Sequence, residues 1–417
     1  MTTHAREHTA TTGETVITAV EAAGERYEFS VDVAGSKYDI WYQADRPLAG
    51  GAEAALVASL LPAMREGTAL RVDAPIDAML LERLDDIQGV FHAWNGQWAI
   101  PTELHRIPVA ASPAEPVAYP PGRGRLAFFS GGVDSYDILV SVPSIDHLLF
   151  VGGFDIFVDD PHLPAIHERL ERAARRLGKP LIHLDTNIKD LADYHVPWLT
   201  YFGAGMASAA MLLTPIASSA HIGGTIPYRQ WRPNGSHPLL DHLWSTSGLR
   251  FVAEGGGYMR IDKVARIADH PVARDELRVC WAGPTEEFNC GRCEKCLRTM
   301  VMLEIVGARR HFRSFPEELD LEAVARVRVT TPYLYEDWRS AQDALRERGG
   351  PPELAEAVDA CLRANVDVAA PRPAEIWDLA RRDRILTEVL ESSSWRLTAP
   401  LRGARRMLRS RSRRAAT

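Results

Sequence analysis

Residues 126–135 read LAFFSGGVDS, and this stretch decides which class of fold the chain adopts. Its leading apolar run, Leu126 to Phe129, predicts a short strand that is buried on both faces. The two adjacent glycines that follow let the backbone take angles closed to other residues, so the chain can turn sharply after the strand. A helical start comes next. The stretch therefore predicts a strand, a tight loop and a helix in succession.

The same pattern continues on the carboxyl side of this stretch. Apolar runs predict further strands at 148–154, 181–185 and 220–225, and helical stretches separate them at 161–178 and 202–213. Apolar strands that alternate with helices indicate βαβ units and a parallel sheet covered on both faces. We therefore predict an α/β fold built on a doubly wound parallel sheet.

The length of the chain, 417 residues, exceeds what one hydrophobic core usually organises, so two or three domains are expected. Alternating apolar residues from Tyr27 to Val33 and from Tyr38 to Tyr42 predict a β-hairpin near the amino terminus. Proline and glycine then mark a linker, and the pattern becomes mainly helical after Cys296. The predicted organisation is a small α+β domain at 13–111, a linker at 112–124, the α/β domain at 125–300, a helical region at 301–392 and an Arg-rich tail at 393–417.

The composition is that of a globular protein, with 46% hydrophobic and 25% charged residues. It excludes a disordered chain, a collagen-like chain and a small disulfide scaffold. No apolar run approaches the roughly 20 residues that span a bilayer, and the amino terminus has no apolar signal-peptide core. We therefore expect a cytoplasmic protein.

Charge is distributed unevenly along the chain. The net charge is −7, yet the segment from Trp395 to Thr417 contains eight Arg and no acidic residue. The acidic remainder argues against broad nucleic-acid binding through the main fold. The basic tail is either solvated and disordered, or it binds an anionic membrane surface, nucleic acid or an acidic partner, of which the membrane surface and the acidic partner are the favoured two.

The glycine loop also has the chemistry of an anion site. Consecutive N–H groups in such a turn form an anion-binding nest, and the following helix adds the positive end of its dipole. Ser130 and Ser135 offer hydroxyl donors to phosphate oxygens, and Asp134 is a natural ligand for a bridging Mg²⁺. The loop lacks the Gly-Lys-Ser/Thr ending of a Walker A loop. The competing interpretation is a tight turn in which Asp134 caps the helix.

The sequence SGGVDS after a strand resembles the signature of the N-type ATP pyrophosphatases, or PP-loop enzymes. These include GMP synthetase, asparagine synthetase, 7-cyano-7-deazaguanine synthase and several tRNA-modifying enzymes, and the resemblance covers residues 124–300. It implies an adenine nucleotide alpha-hydrolase-like fold and cleavage of ATP between its α and β phosphates. It also implies that the pyrophosphate end of ATP and its Mg²⁺ are held by Ser130, Gly131, Gly132, Val133, Asp134 and Ser135.

Four of the five cysteines fall in a short segment, at spacings typical of a metal site. Thiolates at Cys280, Cys290, Cys293 and Cys296 can close a tetrahedron around Zn²⁺, with each Zn–S bond about 2.3 Å long. An iron–sulfur cluster also uses four thiolates, so the spacing alone leaves both metals open. The fifth cysteine, Cys361, lies in a predicted helix apart from the cluster.

The cysteine segment makes the resemblance more specific, because it matches one group of PP-loop enzymes. CGRCEKCLR at 290–298, with Cys280 upstream, resembles the metal-binding segment of the 7-cyano-7-deazaguanine synthases, in which the zinc is structural. Lys263, in the sequence MRIDKVARIADH, resembles that family's substrate-side lysine, which implies a catalytic role beside Asp134. The segment GGTIPYRQWRPNG at 223–235 does not match the family's substrate pocket, which leaves the acceptor molecule open.

The resemblance leads us to expect an ATP-dependent ligase that forms a C–N bond and releases AMP and pyrophosphate. A carboxylate or amide oxygen of a small-molecule acceptor attacks the α-phosphate, and ammonia or an amine then displaces AMP to give an amide or a nitrile. One alternative is sulfur transfer, for which Cys361 is the only thiol outside the cluster. The other is a non-catalytic adaptor that senses nucleotides. A homodimer is left open.

Overall fold

The computed structural model describes residues 13–97, 103–115, 117, 119, 121–230, 232–280 and 289–369. These residues belong to one unit, which ends at Ala370. The Arg-rich tail predicted at 393–417 lies outside the described residues, as does the part of the predicted helical region from 370 to 392.

Ten strands of the described chain form one sheet. They are β1 (Glu14–Ala23), β2 (Arg26–Val33), β3 (Ser36–Ala44), β4 (Ala69–Ile76), β5 (Val109–Pro113), β6 (Gly124–Phe128), β7 (His147–Gly152), β8 (Leu181–Thr186), β9 (Ala217–Gly223) and β10 (Arg250–Glu254). Their order across the sheet is β10-β9-β6-β7-β8-β3-β2-β1-β4-β5. Most neighbouring pairs are parallel and helices flank the sheet, so the predicted α/β class is confirmed.

The helices cover both faces of this sheet. In chain order they are α1 (Glu53–Glu66), α2 (Ala78–Ala93), α3 (Val133–Ser141), α4 (Leu163–Leu177), α5 (Lys189–His195), α6 (Trp198–Met211), α7 (Arg260–Ile267), α8 (Pro271–Glu276), α9 (Glu294–Ile305), α10 (Leu321–Ala325), α11 (Pro332–Arg348), α12 (Pro352–Ala364) and α13 (Val366–Ala369). Helix α4 shows why they pack, because its buried residues Ile166, Leu170 and Ala174 recur at helical spacing. Within the described residues, no helix is both long enough and apolar enough to cross a membrane.

The position of the glycine loop is set by the parallel half of the sheet, which consists of strands β6 to β10. Strand β6 has β7 and β8 on one side, and β9 and β10 on the other. The chain therefore builds outward from β6 in one direction and then restarts on the other side at β9. A reversal of strand order of this kind opens a crevice at the carboxyl ends of the strands. All four strands predicted in this half are present, and β10 is a fifth that the sequence pattern did not predict.

The amino-terminal strands continue the same sheet. Strands β2 and β3 form the predicted hairpin, with Val33 opposite Ser36 at the turn. Strand β3 then pairs antiparallel with β8, and Tyr42 lies opposite Thr186. The domain boundaries predicted from the sequence stay predictions, and the structure adds that strands on both sides of residues 112–124 share one sheet.

Each face of the sheet has its own hydrophobic core. One core contains the buried residues of α1 and α6, such as Tyr201, and the other contains those of α3, α4, α7, α9, α11 and α12, such as Trp338. Strand β6 contributes to both, because Leu126 and Phe128 belong to the first core and Ala127 to the second. The loop that follows β6 therefore lies where the two faces meet.

Candidate functional site

The SGGVDS loop joins the carboxyl end of β6 to the start of α3, at the reversal of strand order. Gly131 has a φ of +73°, which other residues rarely adopt. Its carbonyl oxygen accepts a 2.8 Å hydrogen bond from the backbone N–H of Arg278. The N–H of Ser130 donates to Ser135 Oγ at 3.0 Å, and the two hydroxyl oxygens lie 3.2 Å apart. These bonds hold the loop in one conformation.

Asp134 lies in the first turn of α3, after Gly132 at the helix cap and the buried Val133. Its carboxylate accepts hydrogen bonds from Arg260 Nη1 at 2.5 Å and from Lys263 Nζ at 2.9 Å. The structure therefore brings together the two residues predicted to be catalytic, Asp134 and Lys263, although 129 positions separate them in the chain.

The ion pairs keep Asp134 charged. Its side chain is 26% exposed, whereas those of Arg260 and Lys263 are 9% and 3% exposed. Burial raises the pKa of Asp134, but the charges and hydrogen bonds of the two cations lower it by more, so it lies well below its ordinary value. Lys263 also donates to the carbonyl oxygen of Gly224, just beyond β9. The loop, α7 and the end of β9 are thus tied together.

A cleft of about 360 Å³ opens beside the loop, and Ser130, Asp134 and Ser135 line it. Its volume falls within the roughly 300–1,000 Å³ of small-molecule sites. Open α/β sheets bind their ligands at this place, outside the carboxyl ends of the strands at a reversal of strand order. The cleft is therefore the candidate binding site.

Basic residues form one wall of this cleft. This cationic wall consists of Arg260, Arg278, Lys295 and Arg298. The charge of Arg298 is neutralised by two carboxylates, because Arg298 Nε donates to Glu294 Oε1 at 2.7 Å and Nη1 donates to Asp337 Oδ2. In contrast, Arg260 Nε is buried without a hydrogen-bond partner, and no described carboxylate lies within 4.0 Å of the Arg278 guanidinium. Burial lowers the pKa of Arg278. Buried donors without partners make this wall suited to an anion.

Aromatic and aliphatic residues form a second wall. This apolar wall consists of Phe154, Trp198, Phe202, Met206 and Ile222. All five belong to the core on the α6 face of the sheet or pack against it, and the ring centroids of Phe154 and Trp198 are 5.0 Å apart. The cleft is thus apolar on one side and basic on the other, with the glycine loop in its lining.

Most of these lining residues were not predicted from the sequence. Lys295 and Arg298 lie inside CGRCEKCLR, and Arg260 lies in the same short sequence as Lys263, so the quoted motifs contained a signal for them. Helix α11 lies outside the segment of resemblance, and no sequence signal pointed to its residues. It contributes Tyr333, Leu334 and Asp337 to the lining.

The four predicted metal ligands come together in the structure. The sulfur atoms of Cys280, Cys290, Cys293 and Cys296 all lie within 4.8 Å of one another. The Cys280–Cys293 and Cys290–Cys296 separations are 3.9 and 4.0 Å, near the edge of about 3.8 Å of a tetrahedron with 2.3 Å metal–sulfur bonds. An iron–sulfur cluster places inorganic sulfide between its irons and spreads four thiolates further apart. The geometry fits one tetrahedral metal ion, such as zinc.

Helix α9 joins this cysteine cluster to the cleft. Cys293 is the cap residue of α9, Cys296 lies in its first turn, and Lys295 between them lines the cleft. The backbone N–H groups of Arg292 and Cys293 donate to Cys290 Sγ at 3.4 and 3.2 Å, as they do to a metal-bound thiolate. A metal ion in the cluster would therefore fix the helical turn that carries Lys295.

The remaining cysteine, Cys361, lies in α12 and is fully buried in the second core. Burial raises the pKa of Cys361 to about 12. A thiol in this state is neither accessible nor ionised near neutral pH, so it lacks the properties of a sulfur carrier.

Comparisons with family models, with curated proteins and with solved structures find no match for this chain. Fold alone does not imply function, because one α/β architecture supports many unrelated chemistries. The chemistry of the cleft and of the cysteine cluster therefore carries the functional conclusion.

Proposed function

We propose that this chain is an ATP-dependent ligase that adenylates a carboxylate or amide oxygen and releases pyrophosphate. Ammonia or an amine then displaces AMP, which forms an amide or, after a second activation, a nitrile. The observation that carries the proposal is the SGGVDS loop at the strand reversal, beside a cleft where Arg260 Nε is buried without a hydrogen-bond partner and no described carboxylate lies within 4.0 Å of the Arg278 guanidinium. The resemblance to PP-loop enzymes supports it, and the adenine nucleotide alpha-hydrolase-like fold belongs to the same proposal.

The cleft has the groups that bound ATP requires. The N–H groups of the loop, the Ser130 hydroxyl and the guanidinium groups of Arg260 and Arg278 are donors for pyrophosphate oxygens. The apolar wall offers aromatic faces to a purine ring. Mg²⁺, when bound, neutralises phosphate charge, and Asp134 offers oxygen ligands of the kind that this ion prefers.

The reaction depends on position and charge. An acceptor oxygen forms a bond to the α-phosphorus while the bond from that phosphorus to the bridging oxygen breaks, and pyrophosphate leaves with the electron pair. Negative charge grows on the leaving pyrophosphate, where Arg260 and Arg278 stabilise it. We assign Lys263 to positioning, because its ammonium group holds Asp134 through a 2.9 Å hydrogen bond.

We also propose that the cysteine cluster binds a structural zinc ion. Four protein thiolates fill a tetrahedral site and leave no position for a substrate. Its role is then to hold the first turn of α9 and the side chain of Lys295. A cytoplasmic location, a small-molecule acceptor and an ammonia or amine donor complete the proposal, whereas the homodimer and the docking of the Arg-rich tail stay predictions.

Nucleotide binding is tested by protection against thermal unfolding, since a ligand of the native state raises the melting temperature. We expect Mg·ATP to raise the melting temperature of the wild type and that of Asp134→Ala much less. The matched control, Asp86→Ala, removes an exposed carboxylate of α2 and should keep the wild-type shift. Equal protection of Asp134→Ala and the control, or no protection at millimolar Mg·ATP, contradicts the proposal.

The chemistry is tested with Mg·ATP, ammonium and a panel of carboxylic acids, and AMP and pyrophosphate are measured. Acceptor-dependent release of both products is the expected result. Release of ADP and phosphate contradicts the ligase. Incorporation of sulfur when sulfide replaces ammonium would identify the thiolation alternative, and tight ATP binding without turnover with either donor across the panel would favour the adaptor.

A further inference from the structure

The side chain of Asn234 is buried on the cleft and has no hydrogen-bond partner among the described residues. The residue is 3% exposed and lines the cleft. Its Oδ1 is enclosed and has no hydrogen-bond partner, and its amide nitrogen makes no hydrogen bond to the described residues. Burying a carboxamide in this state costs free energy unless a bound group supplies the missing donor and acceptor. The unpartnered side chain therefore indicates that a ligand binds here.

The backbone holds Asn234 in place. The N–H of the next residue, Gly235, donates to the carbonyl oxygen of Leu199 at 3.0 Å, in the first turn of α6. Gly235 also packs so tightly on α6 that an added Cβ would come within 2.5 Å of the carbonyl oxygen of Thr200. Asn234 is thus anchored to the helix that carries the Trp198 and Phe202 rings of the apolar wall.

The two walls of the cleft differ in the same way as the two ends of a nucleotide. Phosphates require the cationic wall and the glycine loop, whereas a base requires the aromatic faces of the apolar wall. Asn234 is held against α6, the helix that carries the apolar wall, through its neighbour Gly235. It belongs to the segment 223–235, which does not match the family's substrate pocket. Its carboxamide is therefore a buried polar group without a partner that is available to a base stacked there.

We propose that Asn234 reads the base of the nucleotide and selects adenine. A carboxamide pairs in two places with adenine, because its oxygen accepts from the 6-amino group and its nitrogen donates to the neighbouring ring nitrogen. Guanine has an oxygen acceptor in place of that amino group, so the same pair is lost. The inference rests on the proposed binding of Mg·ATP and adds the residue that gives it base specificity.

The test measures dissociation constants by calorimetry for Mg·ATP, Mg·GTP and the Mg complex of purine riboside triphosphate, which lacks the 6-amino group. The wild type should bind Mg·ATP roughly tenfold to one-hundredfold more tightly than either of the others, the size of one bidentate base contact. Asn234→Leu should bind all three with similar affinity. Asn234→Asp keeps an acceptor and loses the donor, so its preference for Mg·ATP should lie between that of the wild type and that of Asn234→Leu.

The outcomes separate this inference from the proposed function. A wild type that binds the three nucleotides equally, or an Asn234→Leu variant that keeps the preference for ATP, overturns the role of Asn234 and leaves ATP binding intact. A folded wild type that binds none of the three overturns the proposed function and this inference with it. Where Asn234→Leu does not fold, Asn234→Asp measures the same preference, and equal binding of ATP and the purine analogue by the wild type overturns the role of Asn234 without any variant.

Discussion

At the scale of single residues, Asp134 and Arg278 line the same cleft but differ in whether their charge is paired. Asp134 has two cationic partners, whereas Arg278 has no described carboxylate within reach. The side chain of Asp134 is 26% exposed, and its ion pairs with Arg260 and Lys263 enclose most of the carboxylate. Removing either side chain therefore tests nucleotide binding, and removing Asp134 also breaks two ion pairs of the fold.

Arg278→Gln should weaken nucleotide binding without weakening the fold. A charged hydrogen bond contributes about 1.5–3 kcal/mol, so we expect the dissociation constant of Mg·ATP to rise roughly tenfold to one-hundredfold. The melting temperature should stay the same, because no described carboxylate pairs with this half-buried cation within 4.0 Å, so its charge contributes little to the stability of the native state. Calorimetry and thermal unfolding measure the two effects. The control is Arg348→Gln, at an exposed position in α11; a lower melting temperature with unchanged affinity would mean that Arg278 is structural.

Asp241 should make stability depend on pH. It is 1% exposed and accepts hydrogen bonds from Ser236 Oγ at 2.9 Å and from the N–H of His237 at 3.1 Å. Burial raises the pKa of Asp241 to about 7, from about 3.9 in the unfolded chain. The folded state therefore binds the proton more tightly. The stability that this carboxyl contributes is full below about pH 4 and is lost as the pH rises through 7.

Asp241→Asn keeps an oxygen acceptor and cannot ionise, so it should remove this pH dependence. Relative to the wild type, we expect its free energy of unfolding to gain about 2–3 kcal/mol between pH 5 and pH 8, measured by urea denaturation. Burial lowers the pKa of His237, which acts in the opposite direction. Both proteins contain that histidine, so its effect cancels in the difference. A difference that does not vary with pH would show that Asp241 is ionised throughout.

At the scale of elements, two helix starts carry the candidate site. Helix α3 begins at the glycine loop, and α9 begins at the cysteine cluster. Each start holds side chains of the cleft, Asp134 in the first case and Lys295 in the second. The strand before α3 and the metal ligands around the start of α9 are local features. The cleft forms because the fold brings the two starts to the same edge of the sheet.

Cys293→Ser should release the start of α9. The variant loses one of four thiolate ligands, so its zinc content should fall clearly below the value of about one ion per chain expected for the wild type. Its melting temperature should fall, because metal binding is coupled to folding, and Mg·ATP protection should fall with it as Lys295 loses its position. Metal analysis and thermal unfolding measure these changes. Cys361→Ala, in the second core, should keep the full metal content, and unchanged metal in Cys293→Ser would disprove the tetrathiolate site.

At the scale of the whole molecule, one sheet joins regions that the sequence separates. Strand β3 pairs with β8 through residues Tyr42 to Ala44, and α1 packs against α6. Tyr42 donates or accepts a 2.7 Å hydrogen bond with Ser208 of α6, and Ser208 Oγ lies 2.8 Å from the carbonyl oxygen of Ala54. These contacts are buried, so the amino-terminal strands support the helix that forms the apolar wall.

Separate expression of residues 1–111 and 112–417 should therefore give fragments that do not unfold cooperatively on their own. The larger fragment would expose the edge of β8 and the α6 surface that α1 covers, and exposed sheet edges promote aggregation. Solubility and calorimetric unfolding of each fragment, compared with the full chain, measure this. Two soluble fragments with their own cooperative transitions would instead support the independent domains predicted from the sequence.

The sequence by itself determined the features that depend on neighbours in the chain. The strand, loop and helix around SGGVDS, the alternating hairpin and the spacing of the four cysteines all follow from short-range rules of backbone geometry, side-chain period and ligand reach. The same rules predicted the α/β class, because the alternation of apolar strands and helices repeats along the chain.

Only the tertiary structure decided which distant residues meet. Arg260 is 126 positions from Asp134, Asn187 reaches back 146 positions to bind the N–H of Trp41, and α11 contributes to the cleft from outside the segment of resemblance. The buried, unpartnered state of Asn234 is equally invisible in the sequence. Such contacts depend on the order of strands in the sheet and on which core each helix packs against. Local periodicity encodes neither, since it records only that a face is buried and not what buries it.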